Sequence, residues 1–89
     1  MDTSGVLSML KVDLGITTAS YDQRLTALVG SAEEMITREG INLTEELEDV
    51  QLLVMYAAWL WRRRDTGDGM PRMLRYTLNN RLFSQKMRS

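Results

Sequence analysis

The chain has 89 residues, with a formal net charge of −1, one proline, no histidine and no cysteine. A chain of that length forms one domain, here residues 1–89, and buries only roughly 60–65% of its surface, so its core is thin. Without cysteine it has neither a disulfide framework nor a thiolate metal site to supplement that core, which leaves oligomerisation as the common support.

No apolar h-region follows Met1-Asp2, and no apolar run approaches the ~18 residues of a membrane span, so a soluble protein without a membrane partner is expected. Apolar spacing is helical throughout and no alternating apolar–polar run occurs, which predicts an all-α fold of four helices. The first helix is predicted from about Ser4 to Leu14. Ser4 can cap it, Val6, Leu7, Leu10 and Leu14 supply the apolar face, and Gly15 suits the position after its end. A connector, Ile16 to Ala19, leads to a second helix from about Ser20 to Glu39. Its apolar positions are Tyr21, Leu25, Leu28, Val29, Ala32, Met35 and Ile36, and Gly40 closes it. Ile41 to Leu43 then links to a third helix, capped near Thr44, with acids in its first turn where the helix dipole favours them.

The third helix contains LLVMYAAWLW, Leu52 to Trp61, ten apolar or aromatic residues without a break. At about 100° per residue these cover every side of the helix and leave no face for water. Two other short helices offer little material to surround it, so burial partly by neighbouring subunits is expected. Trp59 and Trp61 lie about 200° apart and cannot both point into one thin core. The helix turns basic at Arg62 to Arg64, which suits its C-terminal dipole. Asp65-Thr66-Gly67-Asp68-Gly69 reads as a turn, and Pro71 fits the first position of a fourth, amphipathic helix. There Met73, Leu74, Thr77, Leu78 and Leu82 share a broad face, with Arg72, Arg75 and Asn79 opposite. Tyr76 and Phe83 line a flank beside the polar face.

Charge is distributed unevenly. Residues 1–49 hold ten acids and three bases, a net −7, whereas residues 50–89 hold two acids and eight bases, a net +6. Such asymmetry suits a nucleic-acid-binding tail, or identical subunits that attract one another acidic surface to basic surface. It also suits a solvated surface on which charges happen to segregate.

Catalysis finds little support. The commonest general base and the strongest nucleophile are both missing from the composition. Glu33-Glu34 and Glu45-Glu46-Glu48-Asp49 are acidic clusters without metal-ligand spacing, suited to solvation and to the helix N-terminus. Asp65-x-x-Asp68-Gly69 lacks the length and closing Glu of a calcium loop, and no glycine-rich phosphate loop is present. The expectation is a protein that is not an enzyme, with no metal and no cofactor. For a nucleic-acid binder, the arginines and Asn79-Asn80 of the last helix are the candidates. A pI of about 5.3 is far from the value above ~9 of a dedicated binder, and the DTGDG loop fits a helix-turn-helix poorly.

The segment from Asp49 to Met87 resembles the C-terminal half of the small head–tail connector (adaptor) proteins of long-tailed phages and prophages. The resemblance lies in an order: acidic start, apolar helix with an M-Y-A-A-W-L core, basic cluster, glycine turn, then MPRMLRYTLNNRLF. Leu14 to Ile16 and Tyr21 to Val29 are similar in layout but less specific. The resemblance implies a structural virion protein that forms a closed, dodecameric ring under the portal at the capsid vertex. It implies as partners further copies of itself, the portal protein and a downstream connector or tail-completion protein. Phage DNA would pass through the lumen without sequence-specific binding. The implied location is the capsid–tail junction of the virion, assembled in the bacterial host cytoplasm. The alternative is a small helical DNA-binding regulator. Candidate subunit or portal contacts are Tyr56, Trp59, Trp61, Arg62, Arg63 and Arg64 on the third helix. After it come Met70, Pro71, Arg72, Arg75, Tyr76, Asn79, Asn80 and Phe83.

Overall fold

The computed structural model describes residues 3–67 and 69–88, and of Arg64, Asp65, Thr66 and Arg88 the backbone alone. Among them are four helices and no strand: α1 Thr3–Leu14, α2 Asp22–Arg38, α3 Leu47–Thr66 and α4 Arg72–Arg88. The sequence-predicted order and type of all four elements hold, and the boundaries differ for local reasons.

α1 begins at Thr3, so Ser4 stands inside the first turn rather than capping it. Its end follows the glycine signal. Gly15 has φ +72°, its N–H donates to the Val12 carbonyl, and the Ile16 N–H donates to Lys11. These two bonds satisfy carbonyls that the last turn leaves without partners. α2 begins at Asp22, with Tyr21 in the preceding, non-helical position. Tyr21 therefore leaves the predicted apolar face, is 44% exposed, and meets the Trp61 ring edge-on at 5.4 Å. Leu25, Val29, Ala32 and Ile36 are buried as predicted. Met35 lies about a quarter turn off the centre of that stripe and is 39% exposed.

α3 starts at Leu47, later than a cap at Thr44 would place it. Thr44 is recruited elsewhere: its N–H and its hydroxyl both donate to Asp49 Oδ2, at 2.7 and 2.8 Å. At its other end α3 continues to Thr66, through the first half of the predicted turn. Gly67 then closes it in the left-handed region, its N–H donating to the Arg63 carbonyl at 2.7 Å. Asp68 lies outside the described residues.

α3 packs against α1, α2 and α4. Of the ten apolar residues from 52 to 61, seven are buried within this one chain: Leu52, Leu53, Val54, Tyr56, Ala57, Ala58 and Leu60. The premise that two short helices cannot enclose the third is thus corrected. α4 and the 40–44 connector supply the missing cover, with Ile41, Leu74 and Leu78 fully buried beside α3. Only Met55 in that run lies open, and both tryptophans are half-buried on opposite sides. The chain is a flat slab, 42 × 28 × 18 Å. At 8–10 Å between packed helix axes, a slab that thin holds about two helix layers, so outward helix faces have no third layer over them among the described residues.

Candidate interaction surface

The candidate surface lies on α4, and a buried polar cluster sets its orientation. Arg81 is only 7% exposed and Asp49 only 1%. Arg81 Nε donates to Asp49 Oδ1 at 2.6 Å, and its Nη2 donates both to Asp49 Oδ2 at 3.0 Å and to the Asn42 carbonyl at 2.9 Å. Gln85, one turn on, accepts from the Asn42 N–H at 2.7 Å and donates to the Gly40 carbonyl at 2.7 Å. The cluster ties α4 to the start of α3 and to the connector between α2 and α3. Gly40 belongs to it: φ is +99°, a left-handed conformation in which residues with a side chain are strained at this corner.

Burial alone would push the Asp49 carboxyl up. The Arg81 guanidinium and the Thr44 N–H and hydroxyl outweigh that, and hold it below the usual carboxylate value. The hydrogen bond to Asp49 moves Arg81 the other way, above its ordinary value, against the opposing effect of burial. A buried pair is stable only when its remaining donors and acceptors are satisfied, and here Asn42, Thr44 and Gln85 do so.

Sequence reasoning missed this cluster, since it read Asp49 as part of a solvated acidic run and Arg81 as part of a basic tail. A signal existed. Arg81 follows Leu74 by seven residues and Leu78 by three, so it shares their face, and Gln85 extends it.

With that face turned inward, α4 presents Met73, Tyr76, Phe83 and Met87 outward, 63 to 72% exposed. Met73 was expected on the inner face with Leu74. Arg81 takes up the inner stripe instead and rotates Met73 to the outside. Asn79 and Asn80 are exposed, and Arg72 is exposed at the start of the helix. Arg75 is exposed too but engaged within the chain, donating to Glu39 at 2.6 Å. The end of α3 and the start of α4 flank a shallow groove of about 320 Å³, lined by Met55, Trp59, Arg62, Arg63, Pro71 and Met73 among others.

The fourteen candidate contact residues therefore separate. Tyr56 is buried at 5% in the chain's own core, edge-on to Trp59 at 5.5 Å, which removes it from any outer surface. Trp61 is occupied by Tyr21. Trp59 borders the groove beneath the Arg63 guanidinium, which lies 5.1 Å from the ring centroid, and Arg62 faces Asp13 at 3.5 Å. The Arg64 side chain lies outside the described residues. Met70 is half-buried against the core, while Pro71 is exposed at the start of α4 and its carbonyl accepts from the Arg75 N–H. Tyr76, Asn79, Asn80 and Phe83 come together on the outside of α4, with Met73 and Met87 as members that the sequence reading had not assigned.

Among the described residues no group of three His, Cys, Asp or Glu side chains is placed to hold a metal ion. No described helix is long and apolar enough to cross a membrane. Compared with protein-family models, curated proteins and solved structures, the chain finds no match.

Proposed function

We propose that this chain is a structural virion protein, a head–tail connector subunit that assembles as a closed ring beneath the portal and joins the capsid to the tail. Its partners are further copies of itself, the portal protein and a later connector or tail component. Phage DNA traverses the lumen with no sequence-specific contact, and assembly takes place in the bacterial host cytoplasm. The observation that carries the reading is the outer face of α4, on which Met73, Tyr76, Phe83 and Met87 stand exposed within the segment that most resembles the connector family. A small subunit that exposes a row of large apolar side chains is suited to assembly, because such rows are rare on monomers.

The regulator reading is weakened by the state of the basic residues. Arg81 is buried against Asp49 and Arg75 is paired with Glu39, so two of the arginines that could have contacted phosphate already have partners. Light scattering with capsids of the parent phage tests the proposal. The chain is expected to bind portal-loaded capsids and not portal-free shells. Failure to bind, together with a gel shift of duplex DNA that weakens steeply with salt, would overturn it in favour of the regulator.

A further inference from the structure

The exposed residues of α4 have a spacing that a solvated face does not need. Met73, Tyr76, Asn80, Phe83 and Met87 follow one another at intervals of three, four, three and four, the a and d positions of two heptads. The stripe is narrow, as a helix-pairing seam is, and it cannot turn inward because Leu74, Leu78 and Arg81 fix the opposite face. Asn80 in the middle of it disfavours a membrane surface, where an amide would sit among acyl chains.

Charge says what covers it. From Met70 to Ser89 there is no acidic residue, and exposed Arg72 and Lys86 flank the seam. Two α4 seams brought face to face would set these cations against each other, a costly juxtaposition. From Glu39 to Trp61 the opposite holds, with no basic residue at all. Within that segment Leu47, the first residue of α3, is 63% exposed among the exposed Glu45, Glu46 and Glu48. An apolar knob ringed by carboxylates complements an apolar seam flanked by cations. We infer that the α4 seam of one copy receives the Leu47 corner of a second copy, with its glutamates against Arg72 and Lys86. The inference rests on the connector reading and deepens it, by naming the contact between subunits.

The chain has no cysteine, so single-cysteine variants report the contact directly. A disulfide forms only when the two Cα atoms come within about 7 Å. Leu47→Cys and Phe83→Cys chains, mixed and oxidised, are expected to give the mixed 47–83 dimer. Val12→Cys, 82% exposed on α1, is the control and should give none with Phe83→Cys. Placing Arg72→Glu and Lys86→Glu in the Phe83→Cys chain should abolish the dimer, and Glu45→Lys with Glu48→Lys in its partner should restore it. Circular dichroism establishes that each variant is folded. A 47–83 yield no greater than the Val12 control overturns the inference. So does a dominant 83–83 dimer, or a seam that binds only anionic vesicles or DNA. Capsid docking that survives loss of the 47–83 dimer leaves the connector reading standing without this contact. The dimer without capsid docking leaves the contact and removes the reading.

Discussion

α2 and α4 are both 17 residues long, yet they are attached to the molecule in different ways. In α2, chemistry and burial agree: Leu25, Val29, Ala32 and Ile36 face the core, while Gln23, Arg24, Thr26 and Glu34 face out. In α4 they partly disagree, because Arg81 is buried with Leu74 and Leu78 while Met73, Tyr76, Phe83 and Met87 are open. α2 is therefore held by apolar area, which is non-directional and tolerant of small shifts. Among the described residues α4 buries fewer apolar side chains, Leu74 and Leu78, and is held as well by hydrogen bonds that demand one register. The contrast shows why the outer face of α4 is well defined although little covers it: the Arg81 cluster fixes the rotation of the helix about its own axis.

The hardest way to break that contrast is to remove one member of the pair. Arg81→Ala or Asp49→Ala leaves a buried charge without its partner, which costs about 3–5 kcal/mol. Against a total of about 5–15 kcal/mol for a whole domain, that is enough to detach α4 or unfold the chain, read as loss of helicity and a lower urea midpoint. Arg81→Lys should recover only part of the loss. An ammonium lacks the planar fork that here reaches both Asp49 oxygens and the Asn42 carbonyl.

The matching deletion on α2 is Leu25→Ala, at a site with 0% exposure. It should cost about 2–5 kcal/mol from lost transfer energy and the cavity left behind. What separates the two helices is acid. Because Asp49 sits below its ordinary value in the folded chain, the unfolded chain takes up the proton first as pH falls. Its contribution is fully present above the unfolded carboxylate value of about 4 and is lost as pH drops through the lower, folded value. The deficit of Asp49→Asn relative to wild type should shrink in that range, while that of Leu25→Ala changes little. Urea titrations at stepped pH would check both, and equal pH dependence would show that Asp49 is not the titrating hold on α4.

The same contrast explains what the sequence made legible. The four helices, the glycine stops at Gly15 and Gly40 and the inner face of α2 were readable, because each depends on residues close in the chain. The enclosure of Leu52 to Trp61 was not, since it depends on how three other elements fold over one helix. Nor was the pairing of Asp49 with Arg81, which are 32 residues apart. A charged side chain is read as exposed unless its partner is known, and that partner is visible only in three dimensions. For the candidate surface, Tyr76 and Phe83 were correctly placed beside the polar face, whereas Met73 was put on the wrong side because Arg81 was not recognised as an inner residue.

A smaller effect of opposite sign sharpens the α2 side. Gly30 lies mid-helix, exposed, and a Cβ added there would meet nothing within 4 Å. Gly30→Ala should therefore stabilise the isolated chain by about 0.5–1 kcal/mol through helix propensity and reduced unfolded-state entropy. Thermal melting of the monomer would register it as a higher midpoint. A lower midpoint would mean that the outer face of α2 has a packing requirement within the chain.

The smallest expected effect on stability tests the α4 side. Phe83→Ser and Tyr76→Ser remove large aromatic groups, changes that cost about 3–5 kcal/mol when a Phe is truncated inside a core. Here the residues are 66% and 63% exposed, so most of that area is already in water and little is lost on substitution. Each change should stay within about 0.5 kcal/mol of wild type in urea denaturation of the dilute chain, as surface substitutions do. Tyr76 and Phe83 are seven residues apart on one exposed face, and the double variant should add little more. At high concentration the two proteins should part, with the serine variant scattering less light as the apolar row is removed. A loss above ~1 kcal/mol in the dilute chain would place these rings against its own core. The outer face of α4 would then be a second inner face, and no longer a surface left for a partner.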